Sequence, residues 1–137
     1  MRNKYILIII FLSLSLIASL FLVLRTTIFF GKATSSNNSP IALENSYIFA
    51  SPLQAKADGK EQIRVTVYLL DGRGLGVANK NVILNIPNSI KTNDLQSTSD
   101  DSGKAVFDLA SIIPQKTIVT ATADNKQLPQ KINVVFY

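Results

Sequence analysis

Tyr5 to Leu24 form an unbroken run of twenty residues without a charge, and fifteen of them are Leu, Ile, Val or Phe. No other feature restricts the chain as much. About 20 apolar residues at about 1.5 Å rise match the roughly 30 Å hydrocarbon core of a bilayer. Each Leu, Ile, Val or Phe contributes about −0.3 to −0.6 kcal/mol to insertion near a helix centre, so the sum is on the order of −5 to −9 kcal/mol, an upper bound because the ends count less. Ser13, Ser15 and Ser19 oppose it, and a helical Ser hydroxyl can bond a carbonyl one turn back. The run is therefore expected to be a transmembrane helix, with Tyr5, Leu7, Phe11, Leu16, Phe21 and Leu24 as anchor residues in the lipid bilayer.

A cleaved signal peptide is the main competitor. Its apolar core is about 7 to 15 residues with a small-x-small site after it. This core is longer, and the best late site is Gly31-Lys32-Ala33. Cleavage near Ala33 would give a secreted module, and an uncleaved anchor is the preferred expectation. With no Cys in the chain, a lipoprotein anchor is excluded. Arg2, Lys4 and the terminal amine flank one side of the helix, and Arg25 and Lys32 flank the other. The positive-inside rule leans slightly toward an internal N-terminus. Residues 1–4 then form a cytoplasmic stub and residues 5–30 the transmembrane helix with an interfacial end. In that end Arg25 snorkels while Phe29 and Phe30 dip into the interface. Residues 31–43 begin Gly-Lys-Ala-Thr-Ser-Ser-Asn-Asn-Ser-Pro, too polar to order by burial, and are expected to be a flexible linker.

The basic balance of the chain suggests a nucleic-acid binder until the charges are placed. Arg2, Lys4, Arg25 and Lys32 supply four of the five excess positive charges, and from Ala33 onward ten Lys or Arg face nine Asp or Glu. A nucleic-acid binder needs a clustered basic face, so a mixed-charge surface without nucleic acid is expected. The chain has no Cys, no His and no Trp. Thiol chemistry, imidazole general bases and the usual zinc sites fall away with them. The domain must stand on core burial alone, which its size permits.

Residues 44–137 alternate with period two, the pattern of half-buried strands. Strands are expected at 46–50, 62–70, 81–86, 104–109, 117–123 and 131–137, with one short edge strand inside the irregular segment 87–98. The inward set is Ile63, Val65, Val67 and Leu69; Val82, Leu84 and Ile86; Ala105, Phe107 and Leu109; Val119 and Ala121; Ile132, Val134 and Phe136. Turns fall at Asp71-Gly72-Arg73-Gly74, where Gly supplies positive φ, and at Asp100-Asp101-Ser102-Gly103 and Asp124-Asn125-Lys126. Seven short strands at this spacing predict an all-β antiparallel sandwich.

The same residues carry a family resemblance. Ala57-Asp58-Gly59-Lys60 leads into Ile63-Arg64-Val65-Thr66-Val67, followed by Asp71, Gly74, Val77 and Val82-Ile83-Leu84. Ser99-Asp100 with Gly103-Lys104-Ala105, then Val119-Thr120-Ala121 and Val134-Val135-Phe136, complete the series. In order and spacing they resemble the bacterial immunoglobulin-like domain of group 1, the repeat of invasin and intimin stalks. One departure is Gly74-Leu75-Gly76-Val77, where a proline before the valine is usual, so that loop is expected to be more flexible. The resemblance implies an extracytoplasmic Ig-like sandwich. In the long adhesins such repeats serve mainly as spacers, with receptor binding largely in terminal domains of other folds. No such terminal domain follows in this sequence, so an adhesin function does not follow from the resemblance, and fold alone does not settle function.

Candidate sites are few. Asp100 and Asp101 beside Ser102 suggest a calcium loop, but calcium needs six to eight oxygens from a shaped loop, and a hairpin turn is the simpler reading. Asp58-Gly59-Lys60 reads as a turn feeding the second strand. Asp108 points outward and is expected to pair with a cross-strand Lys as surface electrostatics worth little. No positioned base accompanies any Ser or Thr nucleophile, so neither enzyme activity, nor a cofactor, nor a metal, nor a small-molecule substrate is expected. Tyr47, Phe49, Tyr68 and Tyr137 are candidate contacts for a partner, and the edge of the first strand offers a route for strand addition.

The expected protein is a single-pass membrane protein, N-terminus inside and C-terminal domain outside. It presents one Ig-like module with a non-enzymatic binding, adhesion or structural role in the cell envelope. The partner is expected to be another envelope protein or a wall polymer. An accessory subunit of a membrane complex, bound through Ser13, Ser15 and Ser19 of its helix, is the alternative, beside the secreted module.

Overall fold

The computed structural model describes residues 2–29 and 39–137. The chain divides into two compact units, Met1–Ala33 and Thr34–Tyr137. The first holds one helix, α1 (Arg2–Phe29). It contains neither Pro nor Gly, so nothing interrupts the hydrogen-bond ladder. It is apolar all round rather than on one stripe, which marks a deeply buried or membrane-spanning helix. The window Lys4–Phe21 has a mean hydropathy of 2.3, long and apolar enough to cross a membrane, and none of it is buried within the chain. Ser13 Oγ donates to the Ile10 carbonyl at 2.9 Å, which satisfies the hydroxyl within the helix. The expected stub residues Arg2–Lys4 are helical. Phe30 and the cleavage site Gly31-Lys32-Ala33 lie outside the described residues, as does most of the expected linker. Its final stretch is described: Ile41 and Leu43 pack partly buried against the core, and the Ala42 N–H donates to the Leu70 carbonyl.

The second unit is an Ig-like sandwich of nine strands: β1 (Tyr47–Ser51), β2 (Gln54–Ala55), β3 (Ile63–Tyr68), β4 (Val82–Asn85), β5 (Ile90–Gln96), β6 (Lys104–Ser111), β7 (Gln115–Ala123), β8 (Lys126–Gln127) and β9 (Ile132–Phe136). One sheet runs β1-β3-β6-β5 and the other β2-β9-β7-β4, with β8 also on β7. All pairings are antiparallel except β2 on β9. The core fills the space between the sheets. Ile63, Val65, Val67 and Leu69 from one side and Val119, Ala121 and Val134 from the other are wholly buried, with Phe107 and Phe136 the largest side chains among them. Leu84, Ile86 and Ile132 are only partly buried at its margin.

Nine strands replace the seven expected, for two local reasons. Pro52 stops β1, and the chain crosses to the other sheet, where two residues pair parallel with β9. Asp124 and Asn125 both have positive φ, 48° and 61°, the geometry of a two-residue hairpin turn. β8 is the return arm of that hairpin, and Pro129 separates it from β9. The segment 87–98 holds an edge strand as expected, but β5 is seven residues long, with a bulge between Asp94 and Gln96.

Candidate functional site

Cross-strand pairing sorts the outer face of the β1-β3-β6-β5 sheet into rows. Tyr47 lies opposite Tyr68 and Lys104, Phe49 opposite Thr66 and Val106, and Ser51 opposite Arg64 and Asp108. The first two rows bring three expected contact residues together. The Tyr47 and Tyr68 rings stack with centroids 5.1 Å apart, and Phe49 and Tyr68 at 6.3 Å with only 10° between ring planes. Such pairs add about 0.5–1.5 kcal/mol beyond their burial. Thr66 is buried among them although it faces out of the sandwich. Tyr47 is 40% and Phe49 44% exposed, so the patch is both ordered and accessible.

Tyr137 is not part of this cluster. It follows β9 on the other sheet, where its N–H donates to the Ala55 carbonyl and its carbonyl accepts from Ala57 N–H. Of the helix residues, Tyr5, Phe11, Leu16 and Phe21 have exposed side chains. Leu7 and Leu24 lie on α1, and their side chains are outside the described set.

Sequence reasoning missed Gln130. Its side-chain carbonyl accepts the Ile48 N–H at 3.0 Å, capping the open side of β1. Nothing in the local sequence marks it, because the two residues are brought together only by the fold.

The acidic groups serve the loops. Asp100 Oδ1 accepts from the Ser102 N–H, the Ser102 hydroxyl and the Lys104 N–H, at 2.6–3.0 Å, which makes the expected hairpin turn. Burial pushes its carboxyl upward more than any single bond lowers it, yet the bonds from Ser102 and Lys104 together hold it below the ordinary value. Asp58 Oδ1 accepts from the Lys60 and Glu61 N–H groups and closes the turn before β3. Asp71 does the same for the loop expected to be flexible. The Leu75 N–H, first, and Arg73 through backbone and guanidinium keep its carboxyl below the usual range.

Asp108 corrects the sequence reading. It does face outward, but it is only 4% exposed, and its partner is Arg64 rather than a Lys. On the outer face Asp108 lies between Arg64 of β3 and Asn93 of β5, its two cross-strand neighbours. Among the described residues no buried side-chain polar atom lacks a hydrogen bond.

Residues 45–137 match the sequence model of the bacterial Ig-like domain, group 1. The chain belongs to that family. No curated protein matches it. Among solved structures, the Ig-like domain resembles the D00-D0 domain of intimin, with TM-score 0.57 and 24% identity over 79% of this chain and 51% of that one. Invasin, described as a bacterial integrin-binding protein, is similar with TM-score 0.64 and 23% identity over 72% of this chain and 20% of that one. A C-terminal intimin fragment solved with the intimin-binding domain of the translocated intimin receptor gives TM-score 0.55 and 26% identity, covering 72% of this chain and 33% of that one. The chain thus spans at most about half the length of these relatives. The Ig-like domain here shares their fold.

Proposed function

We propose that the chain is a membrane-anchored, extracytoplasmic Ig-like module with a non-enzymatic role in binding, adhesion or envelope structure. The observation that carries this reading is the combination, in one chain, of the apolar helix α1 with a sandwich of the intimin and invasin kind. An apolar 18-residue window is stable in hydrocarbon because the helix satisfies its own backbone. The likeness to intimin and invasin supports a location outside the cytoplasm for the domain, and Arg2, Lys4 and the terminal amine before the helix support an internal N-terminus. Intimin and invasin are described with protein partners, which favours another protein, in the envelope or beyond it, as the partner here. Tyr47, Phe49 and Tyr68 are the residues proposed to meet it, because they combine order, exposure and aromatic surface.

The test is a tag placed after Tyr137, followed by treatment of intact cells with an impermeant protease. A full-length, membrane-bound product whose tag is lost is the expected outcome. A soluble product lacking the residues up to Ala33 would replace the anchor with a signal peptide. A tag that stays protected would argue for a shielded domain and bring forward a subunit role for the helix.

A further inference from the structure

Among the described residues five strands have a neighbour on one side only, and four of them are blunted. β2 and β8 have two residues each. β4 has four, its first N–H is already bonded to the Ser97 carbonyl, and Pro87 follows. β5 is bulged between Asp94 and Gln96 and carries Lys91 and Asp94. Short length, bulges and charge are the usual protections of a sheet edge. β1 has none of them: Tyr47-Ile48-Phe49-Ala50-Ser51 is uncharged, unbulged and rich in strand-forming residues.

Which backbone groups of β1 are open follows from one hydrogen bond. The Ile48 N–H reaches the Gln130 side chain and so points away from β3. Antiparallel strands alternate their bonding direction residue by residue. Ile48 and Ala50 therefore offer their amides and carbonyls to the open side, and Tyr47, Phe49 and Ser51 spend theirs on β3.

We propose that β1 pairs antiparallel with β1 of a second copy of this chain, on a two-fold axis at Phe49. In this register Ile48 of each copy lies opposite Ala50 of the other, and each such pair exchanges two hydrogen bonds. Phe49 meets Phe49, and Tyr47 meets Ser51. The strand is its own complement: an apolar ring faces an apolar ring at the centre, and a large residue faces a small one on either side. The outer-face rows agree. Val106–Thr66–Phe49 continues into the same row reversed, giving one apolar band across an eight-stranded sheet. The row Tyr47–Tyr68–Lys104 continues into Ser51–Arg64–Asp108 of the second copy. No charge of β1 opposes the pairing, and the Gln130 side chain that caps the Ile48 N–H is displaced by it. The interface is isologous, as closed homodimers require. It does not depend on whether α1 is an anchor.

The absence of Cys makes the register directly testable on the full chain in detergent micelles. Phe49 occupies a non-hydrogen-bonded pair, with Cα atoms about 4.5 Å apart, inside the range of about 4.4–6.8 Å that a disulfide spans. Phe49→Cys is expected to cross-link to itself under mild oxidation. Tyr47→Cys and Ser51→Cys are each expected not to, because four residues at about 3.3 Å separate the two copies of either site. An equimolar mixture of these two variants is expected to cross-link to about half the extent of Phe49→Cys, because half of the dimers are mixed and each mixed dimer holds one facing Cys pair. Equal cross-linking at all three single sites, or none at Phe49 and none in the mixture, would overturn the proposal. Sedimentation of the Cys-free chain gives an independent reading. The wild type is expected to be a dimer, and Ala50→Pro, which removes only an outward N–H, a monomer with strand content retained by circular dichroism. A monomeric wild type, or a folded Ala50→Pro variant as dimeric as wild type, would equally overturn it.

Discussion

Arg64 holds both carboxylate oxygens of Asp108, Nε on Oδ1 and Nη2 on Oδ2, each at 2.9 Å across β3 and β6. The pair is lopsided: the Arg64 side chain is 58% exposed and that of Asp108 5%. An exposed ion pair contributes roughly 0–1 kcal/mol, but a covered group left without a partner costs about 1–3 kcal/mol. The two truncations should therefore differ. Arg64→Ala strands a buried carboxylate and is expected to destabilise by about 1–3 kcal/mol. Asp108→Ala leaves a guanidinium that water can reach and is expected to cost about 1 kcal/mol or less. The double variant should be more stable than Arg64→Ala alone. Chemical denaturation of the three variants decides it, and equal losses from both single changes would show that the burial of Asp108 carries no energetic weight.

The loop after β3 and the hairpin before β6 meet without room for a side chain. A Cβ on Gly76 would strike the backbone of Ser102, and one on Gly103, where φ is +77°, would strike the Leu69 carbonyl. Gly72, four residues past the end of β3, has nothing within 4 Å of such a Cβ. Gly76→Ala and Gly103→Ala are each expected to cost about 2–3 kcal/mol, a drop of about 10–20 °C in melting temperature for a domain of this size. Gly72→Ala should stay within about 0.5 kcal/mol. Thermal unfolding followed by circular dichroism separates these outcomes.

Much of this fold could be read from the alternation of side chains. Ile63, Val65, Val67 and Leu69 predicted β3 and its buried face, because a strand with one wet face writes its burial into every second residue. β2 and β8 could not be read the same way. Two residues carry no period: β2 exists because the chain crosses to β9, distant in sequence, and β8 because a two-residue turn folds it back onto β7. The direction of Asp108 was legible, but its burial was not, since its neighbours Arg64 and Asn93 are brought beside it only by the sheet order. The candidate site was legible as a set of aromatics. That Tyr47 stacks on Tyr68 while Tyr137 stands apart depended on strand register and sheet order, which no local pattern specifies.

Acid stability follows from the loop carboxylates. Asp58 is held below its usual value by the Glu61 and Lys60 N–H groups, Glu61 by the N–H and ammonium of Lys56, and Asp71 by Leu75 and Arg73. Asp100 is lowered as well, by Ser102 and Lys104 against the opposing effect of burial. A carboxylate whose folded value is depressed binds its proton more readily when unfolded, so its contribution is complete above the unfolded value and is lost as pH falls toward the folded one. Unfolded Asp and Glu titrate near about 4. With no His in the chain, nothing of ordinary pKa titrates in the folded domain between about pH 5 and 8. The melting temperature is therefore expected to be level from about pH 8 to 5 and to fall steadily below about pH 4. Asp71→Asn and Asp100→Asn should each start from a lower melting temperature at neutral pH and show a shallower acid slope, since each removes one proton-linked group. A melting temperature that holds level to about pH 2.5, or variants with the wild-type slope, would show that these turn carboxylates are not what couples the fold to acid.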